Sequence, residues 1–150
     1  MRAVIQRVRE STVTISGQAT ASIGDGILVL AGFVNDDTNE DLEWVAGKVS
    51  RLRIFDDAEG VMNLPVSETG GEVLIISQFT LHARIKKGNR PSYIEAAGPE
   101  SAVPLYETFI GKMESLLPGK IRTGVFGAEM MVSLINDGPV TIIIDSKNRE

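Results

Sequence analysis

The sequence predicts an α/β fold: a single domain, residues 1–150, in which a strongly curved, mostly antiparallel β-sheet, close to a half-barrel, carries two packed helices. Three observations lead there. Short apolar runs of strand length recur at both ends of the chain, two stretches switch to helical spacing, and no linker, repeat or low-complexity tract interrupts the 150 residues. That length suits one hydrophobic core, which typically serves on the order of 100–200 residues.

Ala3–Val8, Thr12–Ile15 and Ala19–Ile23 read as strands, with Gly17-Gln18 as the tight turn between the last two. Gly26 precedes Ile27–Ala31, an unbroken apolar run that suits a central strand buried on both faces. From Thr38 the pattern becomes helical. Leu42, Val45, Val49 and Leu52 form one stripe, acidic residues occupy the first turn, and Asp36, Asp37 or Thr38 stands ready to cap it. Arg53–Gly60 turns through an acidic loop towards Met62-Asn63-Leu64, and Gly70-Gly71 introduces a second apolar strand, Val73–Phe79. Pro99-Glu100 opens the second helix, with Val103, Leu105, Phe109, Met113 and Leu116-Leu117 as its apolar face and Pro118-Gly119 as its stop. Met130–Ile135 and Val140–Ile144 read as the last strands, separated by Asn136-Asp137-Gly138-Pro139, a strong turn signal. The polar tail Ser146–Glu150 is expected to fray.

Composition narrows the chemistry. No run approaches the roughly 20 apolar residues of a membrane span, and charges fall within the first strand, so neither membrane insertion nor a signal peptide is expected. The absence of cysteine removes disulfides, thiolate metal sites and a cysteine nucleophile, and the single histidine, His82, makes a histidine metal cluster untenable. No metal or cofactor is therefore expected. A formal charge of −5 argues against nucleic-acid binding over the whole surface. It leaves room for a local basic patch at Arg84, Lys86, Lys87 and Arg90, although by pattern alone these residues read first as a solvated loop.

Three segments do not fit a plain structural reading. In Ser77-Gln78-Phe79-Thr80-Leu81, polar side chains interrupt a core strand; they are either sheet-edge residues or a site where successive backbone N–H groups meet an oxyanion. Asn136–Thr141 is either a hairpin turn or, because X-Pro is the common context for a cis peptide, a rigid element that aims two carbonyls in fixed directions. The third is the basic loop. His82 next to Thr80 matches no triad, since no carboxylate near it in sequence orients it. Asp56-Asp57 reads as turn chemistry, not as a metal or acid–base pair.

Together these segments resemble the D-aminoacyl-tRNA deacylase family, whose two signature motifs stand unaltered as Ser77–Leu81 and Asn136–Thr141. Agreeing blocks run along the whole chain: Ala3–Val8, Arg53-Ile54-Phe55 with Gly60 and Met62-Asn63, Gly88 with Arg90-Pro91-Ser92, and Phe126 with Ala128 and Met130. Val61 stands where a lysine is common, and Tyr93 replaces the usual Phe. The resemblance implies a cytoplasmic homodimer, with active sites at the subunit interface, that hydrolyses the ester of D-aminoacyl-tRNA or glycyl-tRNA. It implies that Ser77, Gln78, Phe79 and Thr80 form the catalytic segment, with Met130 bordering the pocket. Gly138-Pro139 would be a cis peptide that reaches into the other subunit and excludes L side chains, and Arg7 would hold that motif against Gln78. Hydrolysis assisted by the ribose 2′-OH and a Thr80 nucleophile are the two mechanisms this leaves. The rival classes are a non-catalytic RNA-binding module, which the 5% aromatic content disfavours, and a purely structural dimer.

Overall fold

The computed structural model describes residues 1–86 and 88–150. The chain forms β1 (Arg2–Ile15), β2 (Gln18–Ile23), β3 (Gly26–Gly32), α1 (Asn39–Arg51), β4 (Arg53–Asp56), β5 (Met62–Pro65) and the single-turn α2 (Val66–Thr69). There follow β6 (Glu72–Ser77), a 3₁₀ turn (Phe79–His82), α3 (Pro99–Leu116), β7 (Ile121–Thr123) and β8 (Met131–Asp145). The main sheet runs β2-β1-β3-β6-β7 with β8 also on β1; β4 and β5 form a separate hairpin. Pairing is antiparallel except at β3–β6 and β6–β7, which are parallel. The curved α/β architecture predicted from sequence is the one observed.

β1 explains the curvature. Its first half, to Val8, pairs with β3, its second half, from Ser11, pairs with β2, and β8 runs along both. The two strands expected at Ala3–Val8 and Thr12–Ile15 are thus one strand, whose exposed Arg9 and Glu10 lie at the ladder shift where it passes from one partner to the next. Alternation on the central strands builds two cores. Ile27, Val29, Ala31, Val73 and Ile75 face the helices, while Leu28, Leu74 and Ile76 face inward with Val8, Val13 and Ile23. For β3 this double burial is what its unbroken apolar run foretold, and β6 shares it.

α1 starts at a full capping box: Thr38 Oγ1 accepts from the Asp41 N–H, and the Thr38 N–H donates to Asp41 Oδ2. α3 begins with Pro99 at its first turn. Its buried face is Ala102, Tyr106, Phe109, Met113 and Leu117, rotated from the expected one; Leu116 is exposed and Val103 and Leu105 only half-buried. Tyr106 supplies the difference, since its ring packs inward and its hydroxyl donates to the Ile75 carbonyl (2.9 Å), satisfying a polar group that patterning alone assigns to the surface.

Other expectations need correction. β6 ends at Ser77, and Phe79 belongs to the 3₁₀ turn. β7 was not anticipated, because three residues carry no period. The tail does not fray: Ser146 is buried, Lys147 reaches Asp41 at 2.8 Å, and Arg149 lies over the Trp44 ring. The largest correction concerns Asn136–Pro139, which is not a hairpin turn. Both flanking segments pair with β1 in the same direction, as one strand; between Val8↔Asn136 and Gln6↔Thr141, Arg7 alone faces Asp137, Gly138, Pro139 and Val140. These residues leave the ladder as a bulge, which suits a proline that has no N–H to give.

Candidate active site

The parallel strands β3 and β6 end side by side at Ala31 and Ser77, and the chain then turns sharply. The Gln78 N–H donates to the Ala31 carbonyl (2.7 Å), and the Leu81 and Ala83 N–H groups donate to the Gln78 and Thr80 carbonyls. At the start of this 3₁₀ turn the Phe79 and Thr80 N–H groups lack a backbone acceptor among the described residues, as the first donors of any helical turn must. Beside them opens a cavity of about 620 Å³, lined by Ser77, Gln78, Phe79, Tyr93, Phe126 and Met130 and floored by the start of α3 at Gly98-Pro99. It therefore lies beyond the carboxyl ends of parallel strands, where open α/β sheets characteristically leave a crevice.

The polar side chains are coupled. Gln78 Nε2 donates to Thr80 Oγ1 (2.5 Å), so the Thr80 oxygen is engaged as an acceptor and its proton stays free to donate. Phe79 is 55% exposed and stands edge-on to Tyr93, with ring centroids 5.1 Å apart, giving the pocket mouth an aromatic rim. His82 does not hydrogen-bond Thr80 among the described residues; it is buried beneath the turn. Asp57 caps its own turn by accepting from the Glu59 and Val61 N–H groups, and these bonds hold its carboxyl below the usual range. Among the described residues no group of three or more metal-ligating side chains converges.

The structure brings Ser77, Gln78, Phe79 and Met130 together at one cavity, and Thr80, next along the turn, does not line it but is joined to it through its hydrogen bond with Gln78. Gly138, Pro139 and Arg7 lie apart from it in the same chain, so Arg7 does not hold the bulge against Gln78 within one subunit. Buried Arg7 instead anchors the bulge to its own sheet: Nε donates to the Asp137 carbonyl (3.2 Å) and lies 3.1 Å from Asp137 Oδ2, while Nη1 donates to the Ile54 carbonyl (2.5 Å). Arg9 takes the other Asp137 oxygen at 3.2 Å. The Gly138-Pro139 peptide is cis and both residues are exposed. Gly138 has φ +118, and a Cβ there would stand 2.9 Å from Val140 Cγ2 and 3.0 Å from Arg7 Nη2, so glycine is required.

In the basic loop, Arg84 is bound to Glu95 (2.6 Å), which raises its pKa, and its backbone pairs with Ser92. Its charge is thus largely spent within the loop. Lys86 and Arg90 are exposed, and Lys87 lies outside the described residues. Sequence reasoning did not assign Tyr93, Phe126 or Gly98-Pro99 to the site. The helix-starting Gly-Pro was the available signal for the last pair.

The sequence profile of the D-Tyr-tRNA(Tyr) deacylase family matches residues 4–145. The chain belongs to that family. Relatives named D-aminoacyl-tRNA deacylase include those of Cytophaga hutchinsonii, 58% identical, Akkermansia muciniphila, 57%, and Flavobacterium johnsoniae, 55%, each aligned over all 150 residues and the whole of both chains. Family members are hydrolases acting on aminoacyl-tRNA, and this chain is one of those enzymes. A solved structure titled c-Myc DNA Unwinding Element Binding Protein superposes with TM-score 0.93 at 39% identity, covering 97% of this chain and 98% of that one. A second, a probable eukaryotic D-amino acid tRNA deacylase at 18% identity, shares the fold with TM-score 0.80, covering 95% and 97%.

Proposed function

We propose that the protein is a one-domain chiral proofreading enzyme that hydrolyses the ester joining a D-amino acid, or glycine, to the 3′ end of tRNA. One observation carries the reading: two adjacent backbone N–H groups, of Phe79 and Thr80, without acceptors among the described residues, at the mouth of a cavity sized for an aminoacyl group. Such donors suit the oxyanion that forms when an ester carbonyl is attacked. Attack of water on the carbonyl carbon forms the new C–O bond and breaks the bond to the ribose oxygen, which takes up the proton, so that the free amino acid and tRNA leave. An aminoacyl ester is already activated, and the neighbouring ribose 2′-OH is held within reach, so orientation serves where the pocket offers no side-chain base. Thr80, bonded to Gln78, orients the substrate in this scheme.

Chirality is assigned to Gly138 and Pro139 of a second copy. Their exposure away from the cavity of their own chain supports this, as does the apolar row Ile143, Val4 and Leu30 beside them, in which Ile143 is 72% exposed. A homodimer joined on this face would present the bulge carbonyls to the partner cavity and exclude an L side chain by clash. The tRNA backbone would follow Lys86, Lys87 and Arg90. Among the described residues no helix is long and apolar enough to cross a membrane, and action on tRNA suits the cytoplasm.

The test is incubation with matched D- and L-tyrosyl-tRNA, with Thr80→Ala in parallel. The D ester is expected to disappear while the L ester persists, and the variant to retain activity within roughly tenfold. Loss of the thousandfold or more seen when a nucleophile is removed would assign the attack to Thr80. Absence of D-selective release would overturn the reading in favour of a nucleic-acid-binding module.

A further inference from the structure

We propose that His82 is a positioning residue for the catalytic turn: its neutral, buried imidazole holds the Phe79 and Thr80 N–H groups at the cavity, so activity is lost on acidification through this one side chain. The inference rests on the reading of Ser77–Thr80 as the site.

His82 is the only histidine in the chain, ends the 3₁₀ turn and is 5% exposed. The turn is seated on the end of β3. A Cβ added at Gly32 would stand 2.8 Å from the Gln78 carbonyl oxygen, 3.1 Å from His82 Cδ2 and 3.1 Å from Leu81 Cβ, so the ring and the backbone that leads into Phe79 rest on the same Cα. Arg2 Nη1 holds the turn from the other side by donating to the Leu81 carbonyl (3.0 Å). A displaced ring therefore moves the segment carrying both free N–H groups.

The ring is placed to be displaced by a proton. Its Nε2 is buried with no hydrogen-bond partner among the described residues, so a cation on this ring gives up water and gains little in return. The groups facing it are unfavourable on balance. Arg2, at the start of β1, and the Met1 amino group just before it disfavour a cation. Asp37, before α1, favours one but already binds the Met1 amino group and has Lys147 at 3.7 Å. Glu95, before α3, is engaged by Arg84. Burial chiefly pushes the ring below its ordinary 6.5, with Arg2 and the Met1 amino group adding to it and the neighbouring Gly32 backbone and the Asp37 charge opposing it. The displaced ring then binds protons more readily than the seated one, so the seated state weakens as pH falls below 6.5.

A single histidine gives an unambiguous NMR signal. The experiment follows the His82 ring and the Phe79–Leu81 amides from pH 8 to pH 5, and in parallel the D-tyrosyl-tRNA deacylation rates of the wild type, His82→Asn and His82→Leu. The wild-type to variant rate ratio cancels titration of the substrate's own amino group. Expected are a ring midpoint below 6.5, amide shifts with the same midpoint, unmoved α1 amides, and a ratio falling about tenfold per pH unit below it. A ring that titrates without moving the Phe79–Leu81 amides would refute the role of His82. Coupled titration with a flat rate ratio would refute the proposal differently, by locating the chemistry away from this turn.

Discussion

Replacing Arg7 by lysine keeps one charge and removes the fork that ties the Asp137–Val140 bulge to the sheet. Arg7 reaches the Asp137 carbonyl at 3.2 Å and the Ile54 carbonyl at 2.5 Å, lies 3.1 Å from the Asp137 carboxylate, and has a side chain only 9% exposed. A single ammonium group lacks the planar geometry to meet these groups, which lie in different directions. Losing two hydrogen bonds of a charged group, at about 1.5–3 kcal/mol each, gives about 3–6 kcal/mol. Relaxation around the partly exposed Asp137 carboxylate lowers the expected loss to about 2–4 kcal/mol. At roughly 2–4 °C per kcal/mol for a chain of this size, Tm should fall by about 5–15 °C. Because the bulge carries Gly138 and Pro139, discrimination between D- and L-tyrosyl-tRNA should narrow as well. Thermal melts followed by circular dichroism, with both esters assayed below the variant's transition, test both effects. A Tm within about 1 °C of wild type and unchanged D/L preference would refute the anchoring argument.

Tyr106→Phe should cost about 1–2 kcal/mol in urea denaturation by leaving the buried Ile75 carbonyl without its donor, while the ring contacts with Phe33 and Phe126 persist. Gly138→Ala should cost about 1–3 kcal/mol and erode D/L discrimination, since the new methyl meets Val140 and Arg7 at φ +118; intact discrimination would contradict the assigned role of the bulge. Asp41→Asn should destabilise α1 by about 1 kcal/mol at pH 7. Burial alone would raise the Asp41 carboxyl, yet hydrogen bonds from Lys147, Thr38 and Ser146 hold it well below its ordinary 3.8. Its contribution is therefore present above 3.8 and lost as pH falls through the folded-state value, so wild type and variant should converge in acid denaturation curves.

Much of this protein was written locally. An unbroken apolar run identified β3 as a strand covered on both faces, because a strand buried twice has no polar alternation, and β6 as a second apolar strand. The helical spacing from Thr38 and the acidic first turn identified the start of α1 with three candidate caps, Asp36, Asp37 and Thr38, and the structure selects Thr38 through its reciprocal bonds with Asp41. Ser77–Thr80 was conspicuous because polar side chains ending a core strand have no packing reason to be there, and the motif resemblance drew on the same residues.

What local pattern misassigned was decided by partners far along the chain. Asn136-Asp137-Gly138-Pro139 has the chemistry of a turn, and whether it reverses the chain or bulges from it depends on β1, more than 100 residues away, which accepts both flanking segments in one direction. β7 is a strand only because β6 offers it an edge. Arg84 looked like a free cation until Glu95 folded beside it, and Tyr93, Phe126 and the start of α3 became pocket walls only when the sheet curled. The sequence by itself determined which segments bury apolar surface and which residues stand out as chemically anomalous, since both follow from side-chain type and spacing. Tertiary structure alone decided which of those residues meet, because meeting depends on register and curvature, which long-range pairing sets.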